Sequence, residues 1–312
     1  MEKNNLKVGF IPTQPLNTAV LFLVFNRLDT TKQVLKAIKK AKPPRLYIAA
    51  DAARVDKAGE VDKVKSVREY IASNIDWDCE VKTLFRNKNL GCKYAVSGAI
   101  DWFFENEEMG IILEDDCLPS QSFFWFCEEL LEKYKDEKKV GMISGDNFQK
   151  GIKRGEADYY FSVYSHIWGW ASWADRWENY DVSLDSFNNV DFIEEGFDRK
   201  SHIRFWTDIY KNMKIGSIDT WDYQWVFALW KKKQFAVLPN INLVKNIGFG
   251  EGATHTTKES ELSKIETYEL ILENHPEKIQ QDKNADEYTA NRMFNKLSVV
   301  RRIIAKIQRM IK

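Results

Sequence analysis

Three carboxylates stand side by side at Glu114, Asp115 and Asp116, between a short apolar run at 111–113 and Pro119. Neighbouring acids repel one another unless a cation sits among them. A hard divalent ion with oxygen ligands would relieve that repulsion, and it could hold a diphosphate at the same time. The same residues would serve equally as a solvated acidic turn ahead of a helix, because acids suit the positive end of a helix dipole. Taken alone, the stretch leaves both readings open.

The elements that carry the acids bear on the choice. The apolar run reads as a buried strand, with Pro119 stopping it and an aromatic helix following at 123–134. Upstream, the continuous apolar run at 19–25 predicts a strand buried on both faces. It is followed by a helix capped by Thr30 or Thr31, with Val34, Leu35 and Ile38 at helical spacing. Further strands are expected at 46–50 and 80–85, and further helices at 62–73 and 94–104. This alternation predicts a parallel sheet with right-handed crossovers. Four polar strand ends would then share one edge: Asn26 and Arg27, Asp51, the segment from Arg86 to Lys93, and the three acids. Ligands of open α/β sheets bind at such an edge. Neither a GxGxxG fingerprint after the first strand nor a Walker GxxxxGK[ST] motif is present.

Downstream, strands are expected at 140–144, 159–163 and 235–238, and helices at 203–213 and 219–230. The tryptophan-rich segment 166–177 reads as a loop entering a helix, and 178–200 as a less regular polar stretch. His255 falls in a glycine-rich loop at 246–256. Residues 258–290 are charged and helical or loose. Apolar residues at Met293, Leu297, Val300, Ile304, Ile307 and Ile311 form one helical stripe.

Composition narrows the class. The chain has 312 residues, 44% hydrophobic and 29% charged, an ordinary globular balance with room for one large α/β domain or two small ones. Net charge is zero, which argues against nucleic acid as a partner. The charge is uneven, however: residues 292–312 hold seven Lys or Arg and no acid. A basic amphipathic helix of that kind reads as an anchor on an anionic membrane surface, where each basic residue contributes roughly 1 kcal/mol. A helix packed back on the domain, or a dimer contact, is the alternative. No apolar run is long enough for a transmembrane helix. The four scattered cysteines fit reduced thiols, and the polar start lacks a signal core, so a cytoplasmic protein is expected. Eight of the eleven tryptophans lie between Trp168 and Trp230, as a large aromatic core or a surface on which sugar rings stack.

Several stretches together resemble GT-A-fold glycosyltransferases of the family-two-like, nucleotide-diphospho-sugar type. They are Val24-Phe-Asn-Arg27, Asn89-Leu-Gly-Cys92, Leu113-Glu-Asp-Asp-Cys-Leu-Pro119, Trp168-Gly-Trp-Ala-Ser-Trp173, Trp221-Asp-Tyr-Gln-Trp225 and Asn246-Ile-Gly-Phe-Gly250. The acidic motif is also similar to that of eukaryotic N-acetylglucosaminyltransferase I. The resemblance covers about 19–256. It implies that Glu114, Asp115 and Asp116 replace a DxD motif, with Asp116 on Mn²⁺ or Mg²⁺ and Asp115 near the ribose or donor sugar. Asp51 would read the base, preferring uracil. Arg27 and Arg86 would contact base, ribose or phosphate, together with Asn26 and, more weakly, Lys93. Asp222 matches the catalytic base, with Asp219 as helix cap or substitute base. His255 would close on metal or diphosphate. His166, Trp168 and Trp170 would meet the acceptor, unless the histidine is structural and the indoles are core. The acidic motif departs from a strict DxD, and the basic tail lies outside the resemblance.

The expectation is therefore an α/β, Rossmann-like GT-A domain with a mostly parallel central sheet flanked by helices. A lead-in spans 1–18, the domain spans 19–257 (nucleotide half 19–119, acceptor half 120–257), and a helical extension spans 258–312. The expected activity is inverting, metal-dependent transfer from a nucleotide-diphosphate sugar, with UDP preferred, to a saccharide or lipid-linked saccharide. This would serve bacterial surface polysaccharide synthesis at the inner face of the membrane. A catalytically silent carbohydrate-binding or scaffold protein of the same fold is the rival. A nucleotidyltransferase is disfavoured, because Asn26-Arg-Leu28 stands where a glycine-rich phosphate loop belongs.

Overall fold

The computed structural model describes residues 10–187, 190–196, 198–249 and 264–293. Strand and helix alternate through the first half: β1 (Val20–Val24), α1 (Leu28–Ala41), β2 (Arg45–Ala50), α2 (Glu60–Asn74), β3 (Glu80–Phe85), α3 (Gly91–Phe104) and β4 (Met109–Glu114). β1 is buried at every position, since helices cover both its faces, and this is why its sequence is apolar without alternation. On α1 the buried stripe is Val34, Leu35 and Ile38. Each such side chain contributes about 1.5–3 kcal/mol on leaving water.

The second half adds β5 (Cys117–Pro119), α4 (Ser122–Tyr134), β6 (Val140–Ser144), β7 (Tyr159–Ser162), β8 (Trp170–Trp173), α5 (Ala174–Trp177), α6 (Asp191–Gly196), α7 (Lys200–Lys214), α8 (Asp222–Lys231), β9 (Phe235–Pro239), β10 (Val244–Asn246) and α9 (Lys283–Met293). The main sheet has eight strands in the order β3-β2-β1-β4-β8-β6-β9-β7. Only β8 and β7 run against the others. This is the mostly parallel α/β sheet expected. One face packs on α1, α2 and α4, and the other on α3, α5 and α8. A satellite core joins α6, α7 and the outer side of α8.

Register sets the functional edge. Val24 lies beside Ala50, Ala50 beside Phe85, and Leu23 beside Glu114. The carboxyl ends of β1 to β4 therefore finish together. β8 enters from the same edge, because Trp170 pairs with both Ile112 and Ser144.

Three expectations need correction. Residues 170–173 form a strand in the middle of the sheet rather than a loop, buried on both faces; tryptophan suits strands, and the lack of polar alternation hid the period. Gly169 makes the entry turn at φ +69°, and a Cβ there would press to 2.9 Å from Val244. Pro119, expected only to stop the run ahead of the helix, lies within β5, which pairs with β10 as a separate ribbon. Helix α8 begins at Asp222, not at residue 219.

The described part of the extension is stitched to the domain. The Glu269 carboxylate accepts N–H groups of Gln121 and Ser122 at 3.2 and 2.7 Å, where the α4 dipole favours it. Asp282 N–H donates to Phe161 O, and Gln149 reaches Thr289 on α9 at 2.9 Å. Among the described residues no helix is long and apolar enough to cross a membrane. The basic stripe from 294 onward lies outside the described residues.

Candidate active site

The shared edge opens into a cleft of about 1320 Å³. Its floor is the ends of β1, β2 and β4, and its far wall is the segment 217–223 leading into α8. Arg27, just after β1, reaches across to the tip of β4. Its Nη2 donates to Asp115 Oδ1 at 2.5 Å and to Asp116 Oδ2 at 2.8 Å. The Phe25 N–H also donates to Asp115 Oδ2 at 3.3 Å. The ribbon of β5 and β10 fixes the other side of Asp116, where Ile247 N–H donates to Asp116 O at 2.7 Å. This brings Gly248 so close that a Cβ would lie 2.2 Å from Asp116 Oδ2 and 2.6 Å from Arg27 Nη1. A side chain at residue 248 would have to push Asp116 or Arg27 aside.

Negative charge exceeds positive charge in this cleft. Burial raises the Glu114 carboxyl to about 8, with Asp116, Asp115 and Asp222 adding repulsion that Arg27 only partly offsets. Burial likewise lifts Asp115 to about 6 in spite of Arg27. Burial works against the Arg27 charge, but Asp115 and Asp116 more than compensate and hold its pKa above the usual value. Cys92 is pushed up to about 12 by burial and by the surrounding Glu114, Asp222, Asp219 and Asp51. Among the described residues no group of three His, Cys, Asp or Glu is placed to hold a metal ion. The donor set nonetheless fits a divalent cation that takes one or two carboxylates and completes its shell with phosphate oxygens and water, as Mg²⁺ does.

Of the expected site residues, Asn26, Arg27, Asp51, Arg86, Glu114, Asp115, Asp116, Trp168 and Asp222 all line this one cleft. Asp222 opens α8 and accepts a hydrogen bond from the Thr220 hydroxyl. Asp51 accepts the N–H groups of Leu90 and Gly91 at 3.0–3.1 Å, which pins the start of α3. Asn26 donates to Glu60 at 2.9 Å. The Trp168 ring stands edge-on to Phe148 and Phe249.

Three expected residues are elsewhere. Trp170 is only 1% exposed and stacks on Trp221 inside the core. His166 is buried, stacked on Phe148, and bonded through Nδ1 to Asp146 Oδ1 at 2.7 Å. Lys93 lies over the Tyr94 ring and is not among the residues lining the cleft. His255 lies outside the described residues.

The sequence reading missed a supporting layer. Glu60 pairs with Arg54, whose hydrogen bonds hold the carboxyl down at about 2, and it positions Asn26 from below. The Arg68 guanidinium ties the carbonyls of Ala50, Asp51 and Arg86, binding the tips of β2 and β3. Ile209, Ile218 and Tyr223 give the far wall an apolar patch. No motif marks these residues; only the packing of α2 and α7 brings them in.

No protein-family model and no curated protein sequence matches this chain. Solved structures similar to it include an active-site mutant of LgtC, at 14% identity and TM-score 0.37, covering 68% of this chain and 70% of that one. HddC from Yersinia pseudotuberculosis aligns at 11% identity and TM-score 0.32, over 51% of this chain and 77% of its own. Mouse xyloside xylosyltransferase 1 in its apo form aligns at 10% and 0.35, over 69% and 81%. At scores this low the likeness decides nothing about the reaction.

Proposed function

We propose that this chain is an inverting, metal-dependent glycosyltransferase of the GT-A type, using a nucleotide-diphosphate sugar, with UDP preferred. The observation that carries the reading is the placement of Asp222 across one cleft from the Arg27-bound acids at the tip of β4. That arrangement offers a base on one wall and an anion-handling centre on the other.

Asp222 would take the proton of an acceptor hydroxyl as its oxygen attacks the anomeric carbon. The new glycosidic bond forms while the bond from that carbon to the diphosphate oxygen breaks. The nucleoside diphosphate leaves with the electron pair, and the proton stays on Asp222. A divalent ion on Asp116 would supply charge neutralisation for the departing diphosphate. Arg27 and Arg86 would orient the phosphates and ribose, and Asp51 the base. Trp168, with the apolar patch of Ile209, Ile218 and Tyr223, would receive the acceptor. A lipid-linked saccharide acceptor, surface polysaccharide synthesis and a place at the inner membrane face rest on the basic segment 292–312, of which only Arg292 and Met293 are described.

The test is calorimetric titration of UDP, GDP, CMP and dTDP, each with and without Mn²⁺, on the wild type and on Asp116→Ala. One nucleotide should bind only with metal, and the variant should lose that binding. Failure of all four on folded wild-type protein would overturn the reading in favour of a silent carbohydrate binder.

A further inference from the structure

We infer that Arg27 is a resident cation of the acidic motif, which occupies Asp116 in the free protein and must be displaced before a divalent ion can bind there. The inference deepens the metal-dependent reading above and rests on it.

Both carboxylate contacts are made by one nitrogen, Nη2, at 2.5 and 2.8 Å. A small divalent ion needs a carboxylate oxygen at about 2.0–2.1 Å, along the direction that this nitrogen fills. On the ribbon side, Gly248 lies so near that a Cβ added there would stand 2.2 Å from Asp116 Oδ2, which closes that approach among the described residues. Asp116 Oδ1 faces the Cys117 thiol at 3.5 Å, and Asp116 as a side chain is only 14% exposed. Among the described residues, the cleft-side position next to Asp116 Oδ2 is thus the one that Arg27 fills. Two cations on one carboxylate would repel each other, so the guanidinium and the metal ion exclude one another.

Arg27 can leave. Its side chain is 24% exposed, more than either carboxylate it holds, and it borders the cleft. A diphosphate would offer the displaced planar guanidinium a pair of anionic oxygens for two parallel hydrogen bonds, which suits its fork better than two separate carboxylates. Bound nucleotide would thus draw Arg27 off Asp116 and open the metal position in one event.

The experiment titrates MnCl₂ alone, without nucleotide, into full-length wild type, Arg27→Met, Arg27→Lys and Asp116→Ala, reading free Mn²⁺ by electron paramagnetic resonance. Circular dichroism checks that each variant is folded. Arg27→Met should bind Mn²⁺ at least tenfold tighter than the wild type, and Arg27→Lys, whose shorter side chain holds its charge farther from Asp116, should fall between them. If the Met variant does not fold, the Lys variant decides alone. Binding no tighter than wild type in the folded Arg27 variants, with Asp116→Ala abolishing it, would overturn the inference and leave the metal site standing. Unchanged binding in Asp116→Ala would show that Mn²⁺ sits elsewhere, and would remove the metal reading together with this one.

Discussion

Asp116 and Asp146 stand just beyond the carboxyl ends of two strands, β4 and β6, that run in the same direction. Each is paired with a basic side chain: Asp116 with Arg27 at 2.8 Å, and Asp146 with His166 at 2.7 Å. Asp116 faces the cleft. Asp146 is sealed under the His166 ring and Phe148, and burial raises its pKa, which the histidine partly offsets. Parallel strands deliver acids to one edge, but what lies over the strand end decides whether an acid is open to a cleft or holds a loop. Asp286, on α9 of the extension and turned in against Ser162 and Gln281, is a second sealed case.

The sharpest way to break this comparison is to remove one charge on each side. Asp222→Asn should lower turnover by about 10²–10⁴-fold, the usual worth of a general base, with nucleotide affinity and melting temperature near wild type. Asp146→Asn should do the reverse, keeping turnover while losing about 1.5–3 kcal/mol of stability with its charged hydrogen bond. Loss of turnover in an Asp146→Asn protein of unchanged melting temperature would erase the distinction between open and sealed acids.

The second sealed acid predicts a pH effect. Burial lifts the Asp286 carboxyl from 3.8 to about 6, although Ser162, Gln281 and the Val163 N–H all favour its anion. The folded state then holds the proton more tightly than the unfolded chain. Stability from this group is full below about pH 4 and is lost as pH rises to about 6, by up to about 3 kcal/mol. Glu114 adds a slope of the same sign extending to about pH 8. The difference between wild-type and Asp286→Asn denaturant midpoints, followed from pH 4 to 7, isolates the Asp286 part. Parallel profiles would mean that the acid is not neutralised by its burial.

The smallest effect tests the open side. In Gly248→Ala the added methyl must push Asp116 or Arg27 aside, an overpacking that costs about 1–3 kcal/mol. Metal-dependent nucleotide binding should weaken about tenfold, while the His166 ring resonances stay in place. Unchanged binding would mean that the ribbon does not hold the acid.

The sequence showed the open side far better than the sealed one. Asn26, Arg27, Asp51 and the three acids were legible because each follows an apolar run that reads as a buried strand, whereas Arg86 follows the exposed edge strand β3, legible only from the strand and helix alternation around it. Trp168 and Trp170 were not separable without knowing that residue 170 lies in a strand: two residues apart, one lines the cleft and the other fills the core. His166 looked available because nothing in the chain nearby announces Asp146 as its partner. Arg68 and the pair of Glu60 with Arg54 support the cleft from α2 and the loop before it, and charged residues of a surface helix give no sign of such a task. Lys93 belongs to the first turn of α3, where its ammonium lies over the Tyr94 ring and outside the residues lining the cleft.

The ribbon of β5 and β10 carries a consequence for how the protein is made. Cys117 pairs with Asn246, so the tip of the acidic motif is clasped by a segment synthesised long after it. A nascent chain that has emerged through α8 already carries every cleft carboxylate, yet nothing holds Asp116 from the side of Gly248. Such distant pairings form late, after the local strand and helix units. The parallel half can therefore reach a native-like shape early in translation, while the final setting of Asp116 dates from the moment the ribbon closes.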